Sequence, residues 1–465
     1  MANLTRIAAL MLSAAIVSCL GFAPPASAIP APVINPAVDI APPDGDPAPA
    51  LPMKQNTVCA TSAVLADSQF GTIPASGAFG VSELHDFARG DGQVVAVIDS
   101  GVQPVTRLPR LRGGGDYIMS GDGLSDCDHH GTLIAGLVAG APSPTDGFIG
   151  VAPGAEIISI RQTSAAFTED KRPEGYSETD RSAANLMALA KAIVHATNLG
   201  ATVINLSVTA CFPAGSPVDL HSLAGALYYA AVIRNVVVVA AAGNTGDQSL
   251  QSCQPNPGYD PANPGDPRNW AGVQSVSLPS YFSDLVLSVG GTTLTGDPYV
   301  NSMAGPWVGA AAPAMNIVSL DPTEPQPGAL TNAALVKGAP IPLNGTSFAS
   351  AYVSGLAALI REKYPNLTAR QVINRILATA HNPAQGLTNS LGAGVVDAKA
   401  ALTADIPPGD IVAPGVPSVI AAPPKPPPVK DNTARNVSLF ILAGAAALLT
   451  VVGLTVFATR RSDSR

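Results

Sequence analysis

Short apolar runs alternate with helix-like segments along the middle of this chain, and no other feature limits its fold as strongly. The runs are rich in Val and Ile and apolar without interruption, which is typical of strands in a parallel sheet that is buried on both faces. Alternating strands and helices predict an open α/β fold, with a mainly parallel sheet and helices on both faces. The predicted strands are residues 94–98, 156–160, 202–206, 236–240 and 285–289, and the predicted helices are residues 132–138, 182–199, 223–234 and 347–364.

The two ends of the chain predict export and anchoring in a membrane. Residues 1–28 have the pattern of a signal peptide, in which Arg6 precedes an apolar stretch and an Ala-Ser-Ala cleavage site; lipidation at Cys19 stays an open alternative. Residues 437–458 carry no charge and are long enough for one C-terminal transmembrane helix, which needs about 20 apolar residues. The arginines of residues 459–465 place this tail in the cytoplasm. We therefore expect a single-pass type I protein of the cell membrane, with its globular part outside the cytoplasm.

Proline-rich segments lie on both sides of the globular part. Residues 404–436 are rich in proline, which favours extended polyproline structure, so we expect a semi-rigid linker between the domain and the membrane helix. Residues 29–80 are interpreted as a proline-rich extension that wraps around the domain, residues 81–403. A domain of this length can bury one large core. Residues 164–182 are polar, and we expect a mobile loop there.

Four cysteines remain outside the predicted signal peptide, and an even number in an exported protein indicates two disulfide bonds. Four cysteines allow three pairings. We favour Cys59–Cys127, which would fasten the extension to the domain, together with Cys211–Cys253, which would close a local loop. A metal site is the alternative, but the chain has no Cys-x-x-Cys motif or paired His/Cys spacing to support one.

The charge of the chain limits the classes of partner that it is expected to bind. The formal net charge is −8 and the sequence has no cluster of Lys and Arg, which argues against nucleic acid as a partner. No cluster of Asp and Glu marks a calcium site. We therefore expect no cofactor, while a structural calcium ion bound through backbone oxygens stays open.

Four polar residues lie at the ends of predicted strands or at the starts of predicted helices. Asp99 follows the first predicted strand, and His130 precedes the helix after it. Asn244 comes shortly after the fourth predicted strand, and Ser347 opens the last predicted helix. In open α/β folds, ligands bind beyond the carboxyl ends of the strands. The four side chains are therefore candidates for one functional site.

These residue types supply what a serine nucleophile needs. The hydroxyl of Ser347 becomes reactive when a base such as His130 takes its proton, and a carboxylate such as Asp99 fixes the histidine tautomer. The amide of Asn244 can donate a hydrogen bond to the oxyanion of a tetrahedral intermediate, and losing such a donor costs about 3–4 kcal/mol of transition-state stabilisation. The four residues together predict catalysis by an activated serine.

Each of these residues lies in a short motif, and the four motifs follow one another in a fixed order. The motifs are Val97-Ile98-Asp99-Ser100-Gly101, His130-Gly131-Thr132, Ala241-Ala242-Gly243-Asn244 and Gly345-Thr346-Ser347-Phe348-Ala349. Together they resemble the motifs of the subtilisin-like serine proteases. The resemblance implies a subtilisin-like fold and a serine endopeptidase that acts on proteins or peptides. It also implies a catalytic triad of Asp99, His130 and Ser347, with Asn244 as the oxyanion donor.

Two histidines stand side by side, so the base has to be chosen between them. In the subtilisin-like proteases the base directly precedes Gly-Thr, which implies that His130 has this role. His129 is expected to be a solvent-facing loop histidine. Asp128 is expected to be a loop or helix-start carboxylate rather than a second acid.

Ser207, Val208 and Thr209 match the substrate-binding strand of the same family, whose edge pairs with an extended peptide. The family usually has Leu-Gly after this serine, where this chain has Val208 and Thr209. A side chain in place of the glycine would narrow the primary specificity pocket. The resemblance therefore implies selective processing rather than broad degradation.

The order of segments resembles one group of subtilases in particular, the mycosins. These combine a signal peptide, a cysteine-bearing proline-rich extension, a subtilase domain, a proline-rich linker and one transmembrane helix, and stretches such as "GLSDCDHHGTLIAG" look like theirs. The resemblance implies a membrane-anchored periplasmic protease that processes secreted proteins and associates with the membrane complex of a type VII secretion system. The alternative is a mainly structural component that stabilises this complex, with proteolysis secondary.

Overall fold

Seven parallel strands form the central sheet of the protein. The structure is a computed structural model that describes residues 29–246, 253–323, 328–384 and 386–417. The strands of the described residues are β1 (Met53–Gln55), β2 (Ser62–Ala63), β3 (Val94–Asp99), β4 (Leu111–Asp116), β5 (Glu156–Arg161), β6 (Phe167–Glu169), β7 (Val203–Leu206), β8 (Ala210–Pro213), β9 (Val237–Ala241), β10 (Ser275–Leu278), β11 (Leu287–Thr292), β12 (Val308–Pro313), β13 (Ser319–Leu320), β14 (Leu330–Thr331), β15 (Ala333–Val336) and β16 (Ala339–Pro342). The α-helices are α1 (Pro74–Phe79), α2 (Val81–Leu84), α3 (His130–Ala139), α4 (Glu178–Asn198), α5 (His221–Tyr228), α6 (Thr346–Lys363), α7 (Ala369–Thr379) and α8 (Ala398–Thr403).

The order of the central strands creates a crevice near the middle of the sheet. The order is β12-β11-β9-β7-β3-β5-β4, and every neighbouring pair is parallel. From β3 the chain first builds one side of the sheet with β4 and β5, and then the other side from β7 to β12. β3 and β7 therefore flank the point at which the strand order reverses. In such sheets a ligand binds beyond the carboxyl ends of the strands at this point.

Helices cover both faces of the sheet because the strands are apolar on both faces. Val95 and Val97 of β3 belong to the core on one face, which packs beneath α3 and α6. Ala96 and Ile98, which alternate with them, belong to the core on the other face, beneath α4 and α5. The residues of α6 from 346 to 360 are all buried, so this helix runs through the interior. These layers confirm the predicted α/β fold with its mainly parallel sheet.

All five predicted strands are present, with small shifts at their ends, but the sequence pattern does not predict two strands of the sheet. β4 contains Gly113, Gly114 and Gly115, and β12 is rich in alanine and ends in Pro313. Neither has the density of β-branched residues that marks the other strands. The four predicted helices are also present, and the third is divided into α5 and a π-helix over Tyr229–Ile233.

The N-terminal extension pairs with the domain through two short strands. β1 runs antiparallel to β6, with Met53 opposite Glu169 and Gln55 opposite Phe167. β2 runs antiparallel to β15. The prediction of a mobile loop over residues 164–182 is wrong for β6, because the backbone of this strand bonds to the extension, and for residues 178–182, which begin α4. The polar composition of the segment gives no indication of a partner so far away in the sequence.

Two disulfide bonds join the cysteines in the favoured pairing. Cys59 of the extension is bonded to Cys127, which lies just before α3, and their Cα atoms are 4.6 Å apart. The backbone N–H of Ala60 also donates to the carbonyl oxygen of Cys127 at 2.8 Å. Cys211 of β8 is bonded to Cys253, with Cα atoms 5.4 Å apart. The first bond attaches the extension close to the predicted base.

Two histidine–aspartate pairs hold the first part of the extension against the helices. Nδ1 of His221 in α5 lies 2.7 Å from Oδ1 of Asp39. Nδ1 of His195 in α4 lies 2.8 Å from Oδ1 of Asp44, and Asn198 donates a further hydrogen bond of 2.9 Å to the same carboxylate. The extension therefore follows the outer surface of both helices.

The predicted extension and the predicted linker both contact the domain through residues that the structure describes. Ala75 and Phe79 of α1 are buried in the core, although they fall within the predicted extension, residues 29–80. Ala413 and Val416 fall within the predicted linker and are buried against the second core.

Some predicted segments lie outside the described residues. These are the signal peptide (residues 1–28), most of the linker, the transmembrane helix (residues 437–458) and the tail (residues 459–465). Among the described helices, none is long and apolar enough to cross a membrane.

Candidate active site

Three elements bring the predicted triad together at the carboxyl edge of the sheet. Asp99 is the last residue of β3, His130 is the first residue of α3, and Ser347 is the second residue of α6. Asn244 follows β9 at the same edge. Because β3 flanks the reversal of strand order, these side chains meet in the crevice of the sheet.

The triad side chains form one continuous line of hydrogen bonds. Nδ1 of His130 lies 2.7 Å from Oδ1 of Asp99, and Nε2 of His130 lies 2.9 Å from Oγ of Ser347. Asp99 is completely buried, Ser347 is 7 % exposed, and the side chain of His130 is 33 % exposed. The carboxylate of Asp99 accepts a hydrogen bond from the protonated Nδ1, so Nε2 keeps the lone pair that can take the proton of Ser347.

Two opposing effects set the pKa of His130. Burial alone would lower the pKa, because it disfavours the charged imidazolium. The charge of Asp99 and its hydrogen bond outweigh burial, and the charges of Asp126 and Asp128 act in the same direction. The pKa of His130 is therefore raised above its usual value, which makes the imidazole a stronger base.

Gly131 allows the base to come close to the acid. A Cβ atom at this position would lie 1.9 Å from the carbonyl oxygen of Gly101 and 3.3 Å from Cβ of Asp99. A side chain at Gly131 would therefore push the start of α3 away from the end of β3. The hydrogen bond between Asp99 and His130 depends on the absence of that side chain.

Asn244 presents its amide nitrogen to the space beside the nucleophile. Its Oδ1 accepts hydrogen bonds from the backbone N–H of Thr346 at 3.1 Å and from Oγ1 of Thr346 at 3.3 Å. A Cβ atom at Gly345 would lie 3.3 Å from Oγ of Ser347 and 3.6 Å from Nδ2 of Asn244. The glycine thus leaves open the space between the hydroxyl and the amide, where a substrate carbonyl can receive a hydrogen bond from Nδ2.

The predicted substrate-binding residues line the cleft, and Ser207 also supports the nucleophile. Oγ of Ser207 accepts a hydrogen bond from Asn205 at 2.6 Å and donates one to the carbonyl oxygen of Ser347 at 3.3 Å. Val208 and Thr209 line the cleft, which has a volume of about 350 Å³, and also a neighbouring cavity of about 370 Å³. These two residues therefore lie at the boundary between the two spaces.

The residues just before the base differ from each other in their surroundings. His129 is half-buried, and its Nδ1 lies 3.0 Å from Oγ of Ser62 in the extension. It is a loop histidine, as predicted, but it is only partly exposed to solvent. Asp128 accepts hydrogen bonds from the hydroxyl of Ser164 and from the backbone N–H of Ala165. It is a loop carboxylate that connects the segment before α3 to the segment after β5.

A hairpin that is not among the elements predicted from the sequence also lines the cleft. β15 and β16 form it, and Ala334, Val336 and Ile341 face the cleft. The turn residues Lys337 and Gly338 have φ angles of 51° and 82°. Two short apolar runs separated by a residue and a glycine are the usual signal of such a tight turn, so the hairpin could have been found in the sequence.

The assembled groups are suited to acyl transfer onto a serine. A nucleophile, a base with a raised pKa, a buried acid and an amide donor surround one open space. In the part of the chain that the structure describes, no group of three or more His, Cys, Asp and Glu side chains could hold a metal ion.

Comparison with known proteins places the chain in a family. Residues 90–394 match the subtilase family. Mycosin-3 of Mycobacterium tuberculosis is 47% identical over 461 residues, which cover 97% of this chain and 96% of the relative. Mycosin-1 of the same organism is 46% identical, and the match covers 95% of this chain and 97% of the relative.

Solved structures share the fold. The MycP3 protease from the type VII (ESX-3) secretion system has a TM-score of 0.76 and 50% identity, covering 81% of this chain and 100% of that chain. A chain in the intact ESX-5 inner membrane complex has a TM-score of 0.78 and 43% identity, covering 93% and 99%. A chain in the periplasmic assembly of the ESX-5 inner membrane complex has a TM-score of 0.77 and 44% identity, covering 86% and 100%. The chain therefore belongs to the mycosins, within the subtilase family of serine proteases.

Proposed function

We propose that Asp99, His130 and Ser347 are the catalytic triad of a serine endopeptidase and that Asn244 donates the hydrogen bond to the oxyanion. The observation that carries this proposal is the unbroken line of hydrogen bonds from Asp99 through His130 to Ser347, which ends in an open cleft. Ser347 is placed near the N-terminus of α6, where the helix dipole favours negative charge developing on the substrate.

The geometry gives each residue a step in the reaction. Oγ of Ser347 attacks the carbonyl carbon of the scissile bond, while its proton passes to Nε2 of His130. The carbonyl oxygen becomes an oxyanion and accepts the hydrogen bond from Nδ2 of Asn244. His130 then gives its proton to the leaving amine, the C–N bond breaks, and an acyl-enzyme remains. Water attacks the acyl-enzyme and passes a proton to His130; His130 then returns this proton to Oγ of Ser347 as the ester C–O bond breaks, which releases the new carboxylic acid and regenerates the free serine.

The form of the cleft supports selective processing of protein substrates. Val208 and Thr209 place side chains at its boundary, and the hairpin of β15 and β16 also lines it. An extended peptide can pair with the backbone of residues 207–209, as other peptides pair with exposed strand edges. The scheme uses no cofactor, and a bound calcium ion would have a structural role only.

The similarity to chains of a secretion complex supports a location for this protein at such a complex. The related chains belong to the ESX-5 inner membrane complex and to its periplasmic assembly. We therefore place this protease in the periplasm, associated with a type VII secretion membrane complex. The predicted signal peptide, linker (residues 404–436) and transmembrane helix (residues 437–458) fit a single-pass type I protein of the cell membrane.

A mainly structural role in that complex is the second candidate function. The observation that favours it is that the similarity to a chain within the intact inner membrane complex covers 93% of this chain rather than the protease domain alone. Proteolysis would then be secondary to stabilising the complex.

One substitution separates the two functions. Ser347→Ala removes the nucleophile but leaves the rest of α6 in place, because only Oγ is lost. We compare four strains. They carry the full chain, the Ser347→Ala variant, the Ser82→Ala control variant or no copy of the chain. Ser82 is exposed on α2 and does not line the cleft. Mass spectrometry measures the N-termini of secreted proteins, and native gels measure the amount of assembled complex.

The protease proposal predicts that a small set of N-termini disappears in the Ser347→Ala strain and persists with Ser82→Ala. Identical N-termini in the Ser347→Ala strain and its parent would contradict it. The structural function predicts that the complex persists with Ser347→Ala and is lost only without the chain.

A further inference from the structure

A second buried carboxylate lies behind the triad. Asp126 is 5 % exposed. Its Oδ2 accepts hydrogen bonds from the backbone N–H of Thr132 at 2.8 Å and from Oγ1 of Thr132 at 2.6 Å. Its Oδ1 accepts a hydrogen bond from the hydroxyl of Ser100 at 2.8 Å. Neither Thr132, in the first turn of α3, nor Ser100, directly after the acid, takes part in the reaction scheme.

Ser100 extends this network to both the acid and the base. Its backbone N–H donates to Oδ1 of Asp99 at 2.7 Å. Its Oγ accepts a hydrogen bond from the backbone N–H of Gly131, the residue after the base, at 2.9 Å. Because the hydroxyl proton of Ser100 goes to Asp126, the oxygen is left to accept from Gly131.

Asp126 and Ser100 together take the place of a helix cap. Within the described residues, the N-cap residue of α3, His129, makes no side-chain bond to the first turn. The first N–H groups of a helix need acceptors from outside, and negative charge is favoured near them. Ser100 accepts from Gly131, and Asp126 accepts from Thr132. The helix that begins with His130 is thus fixed to the end of the strand that carries Asp99.

We propose that Asp126 is a positioning residue of the catalytic site, which holds the start of α3 against the end of β3 and so fixes His130 relative to Asp99. This inference rests on the proposed function of the triad. It assigns Asp126 no contact with the substrate. Asp126 acts on the position of His130 only through its hydrogen bonds with Ser100 and Thr132. A carboxylate that merely stabilised the fold would not act on the position of His130.

The charge of Asp126 provides a measurable difference between a positioning role and a merely structural role. The carboxylates that face His130 are those of Asp99, Asp126 and Asp128, and all three raise its pKa. Burial raises the pKa of Asp126 itself to about 7, although the hydrogen bonds from Thr132 and Ser100 oppose burial. Asp126 is therefore charged above about pH 7, and in that range removing its charge lowers the pKa of His130, so the decline in activity begins at a lower pH.

The test uses the full chain in mild detergent and an alkyl fluorophosphonate as the probe. Oγ of Ser347 forms a bond to phosphorus, the P–F bond breaks, fluoride leaves, and the serine proton passes to His130. The second-order rate constant of labelling is measured from pH 5 to 9 for the parent and for Asp126→Asn, Ser100→Ala, Thr132→Val and Thr132→Ser. Asp116→Asn is the matched control, because Asp116 is also a buried carboxylate that accepts backbone N–H bonds, at the end of β4.

We expect Asp126→Asn to lower the limiting rate by about 10–100-fold, the scale of a small misplacement of reacting groups, and to shift the acid limb to lower pH. Thr132→Val and Ser100→Ala should slow labelling, and Thr132→Ser should restore it because the hydroxyl returns. Asp116→Asn should lower the melting temperature without shifting the acid limb.

Two results would overturn the inference. In the first, Asp126→Asn melts at a lower temperature but keeps the parent's rate and acid limb. In the second, Asp126→Asn does not fold, and Ser100→Ala and Thr132→Val keep the parent's rate. A parent that is folded but not labelled would instead refute the proposed triad, so the two failures can be told apart.

Discussion

At the scale of single residues, the reactivity of Ser347 depends on the hydrogen bond of 2.7 Å between Asp99 and His130. Asp99→Asn removes the charge that raises the pKa of His130. The asparagine side chain also no longer fixes the histidine tautomer. We predict that fluorophosphonate labelling of Ser347 slows by about 10⁴-fold.

Neutral His130 is the active form, so activity is lost as pH falls through its raised pKa, and the residual activity of Asp99→Asn should persist to lower pH. A rate–pH profile measures both effects, and an acid limb that stays in place would contradict the role of Asp99.

Asn244 acts only when the carbonyl oxygen gains negative charge. We predict that Asn244→Ala lowers kcat by about 10²–10³-fold with little change in KM, because the amide stabilises the transition state more than the bound substrate. Hydrolysis of an activated ester measures this effect without a known peptide sequence. Asn382→Ala, at an exposed position, is the control. A change confined to KM would mean that Asn244 binds substrate instead.

The residues of the site were predictable to different degrees. Asp99, His130 and Ser347 lie in motifs that can be read locally, and their roles follow from the chemistry of the side chains. Asp126 could not be assigned, because its donors are far apart in the sequence: Ser100 directly follows β3, and Thr132 lies in α3. The surroundings of His129 depend on an extension strand that only the folded chain brings to it.

At the scale of elements, two histidine–aspartate contacts help to hold the first part of the extension, and they respond to pH in opposite directions. The hydrogen bond that His221 donates to Asp39 raises the pKa of His221, so this contact stabilises fully below the usual histidine pKa of 6.5 and is lost as pH rises through the raised pKa. Burial raises the pKa of Asp44, but hydrogen bonds from His195 and Asn198 outweigh it and leave the pKa below 3.8. That contact stabilises above pH 3.8 and is lost as pH falls through the lowered pKa.

These responses predict that the extension is held most firmly in mildly acidic solution. Hydrogen exchange of residues 35–45, corrected for the intrinsic pH dependence, should show the highest protection between pH 3.8 and 6.5. His221→Asn keeps a polar side chain but does not titrate there, so its protection should no longer decline above neutral pH. Equal decline in the parent and in His221→Asn would show that this histidine does not hold the extension.

Elements were predictable where the signal lies in their own residues. The five apolar runs became strands of the central sheet because their side chains fill both cores. β6 was missed because it is a strand only in the presence of β1, and its polar sequence resembles a loop. β4 was missed because its glycines contribute no side chains to the pattern.

At the scale of the whole molecule, the proposed membrane position depends on residues 437–458. A chain that ends at residue 436 keeps all the described residues and loses the apolar stretch and the tail. We predict that the full chain sediments with membranes after alkaline extraction, whereas the shortened chain appears in the soluble fraction. Fractionation followed by immunoblotting measures this, and a shortened chain that stays in the membrane pellet would contradict the proposed anchor.

The order of segments could be predicted from composition more readily than their packing. A proline-rich sequence favours an extended backbone, but it does not show that Ala413 and Val416 lie against the second core. The same holds for the extension, in which Asp39 and Asp44 find histidine partners on α5 and α4. Contacts between distant segments depend on the finished fold, so the sequence pattern alone does not contain them.

The most direct test of the central claim is the intact mass of the full chain after exposure to a fluorophosphonate. We predict that the parent gains one phosphonyl group, mapped to Ser347, because His130 lies 2.9 Å from this hydroxyl and activates it. The Ser347→Ala variant should gain none under the same conditions. A folded parent that stays unlabelled, or equal labelling of both proteins, would contradict the claim that Ser347 is an activated nucleophile.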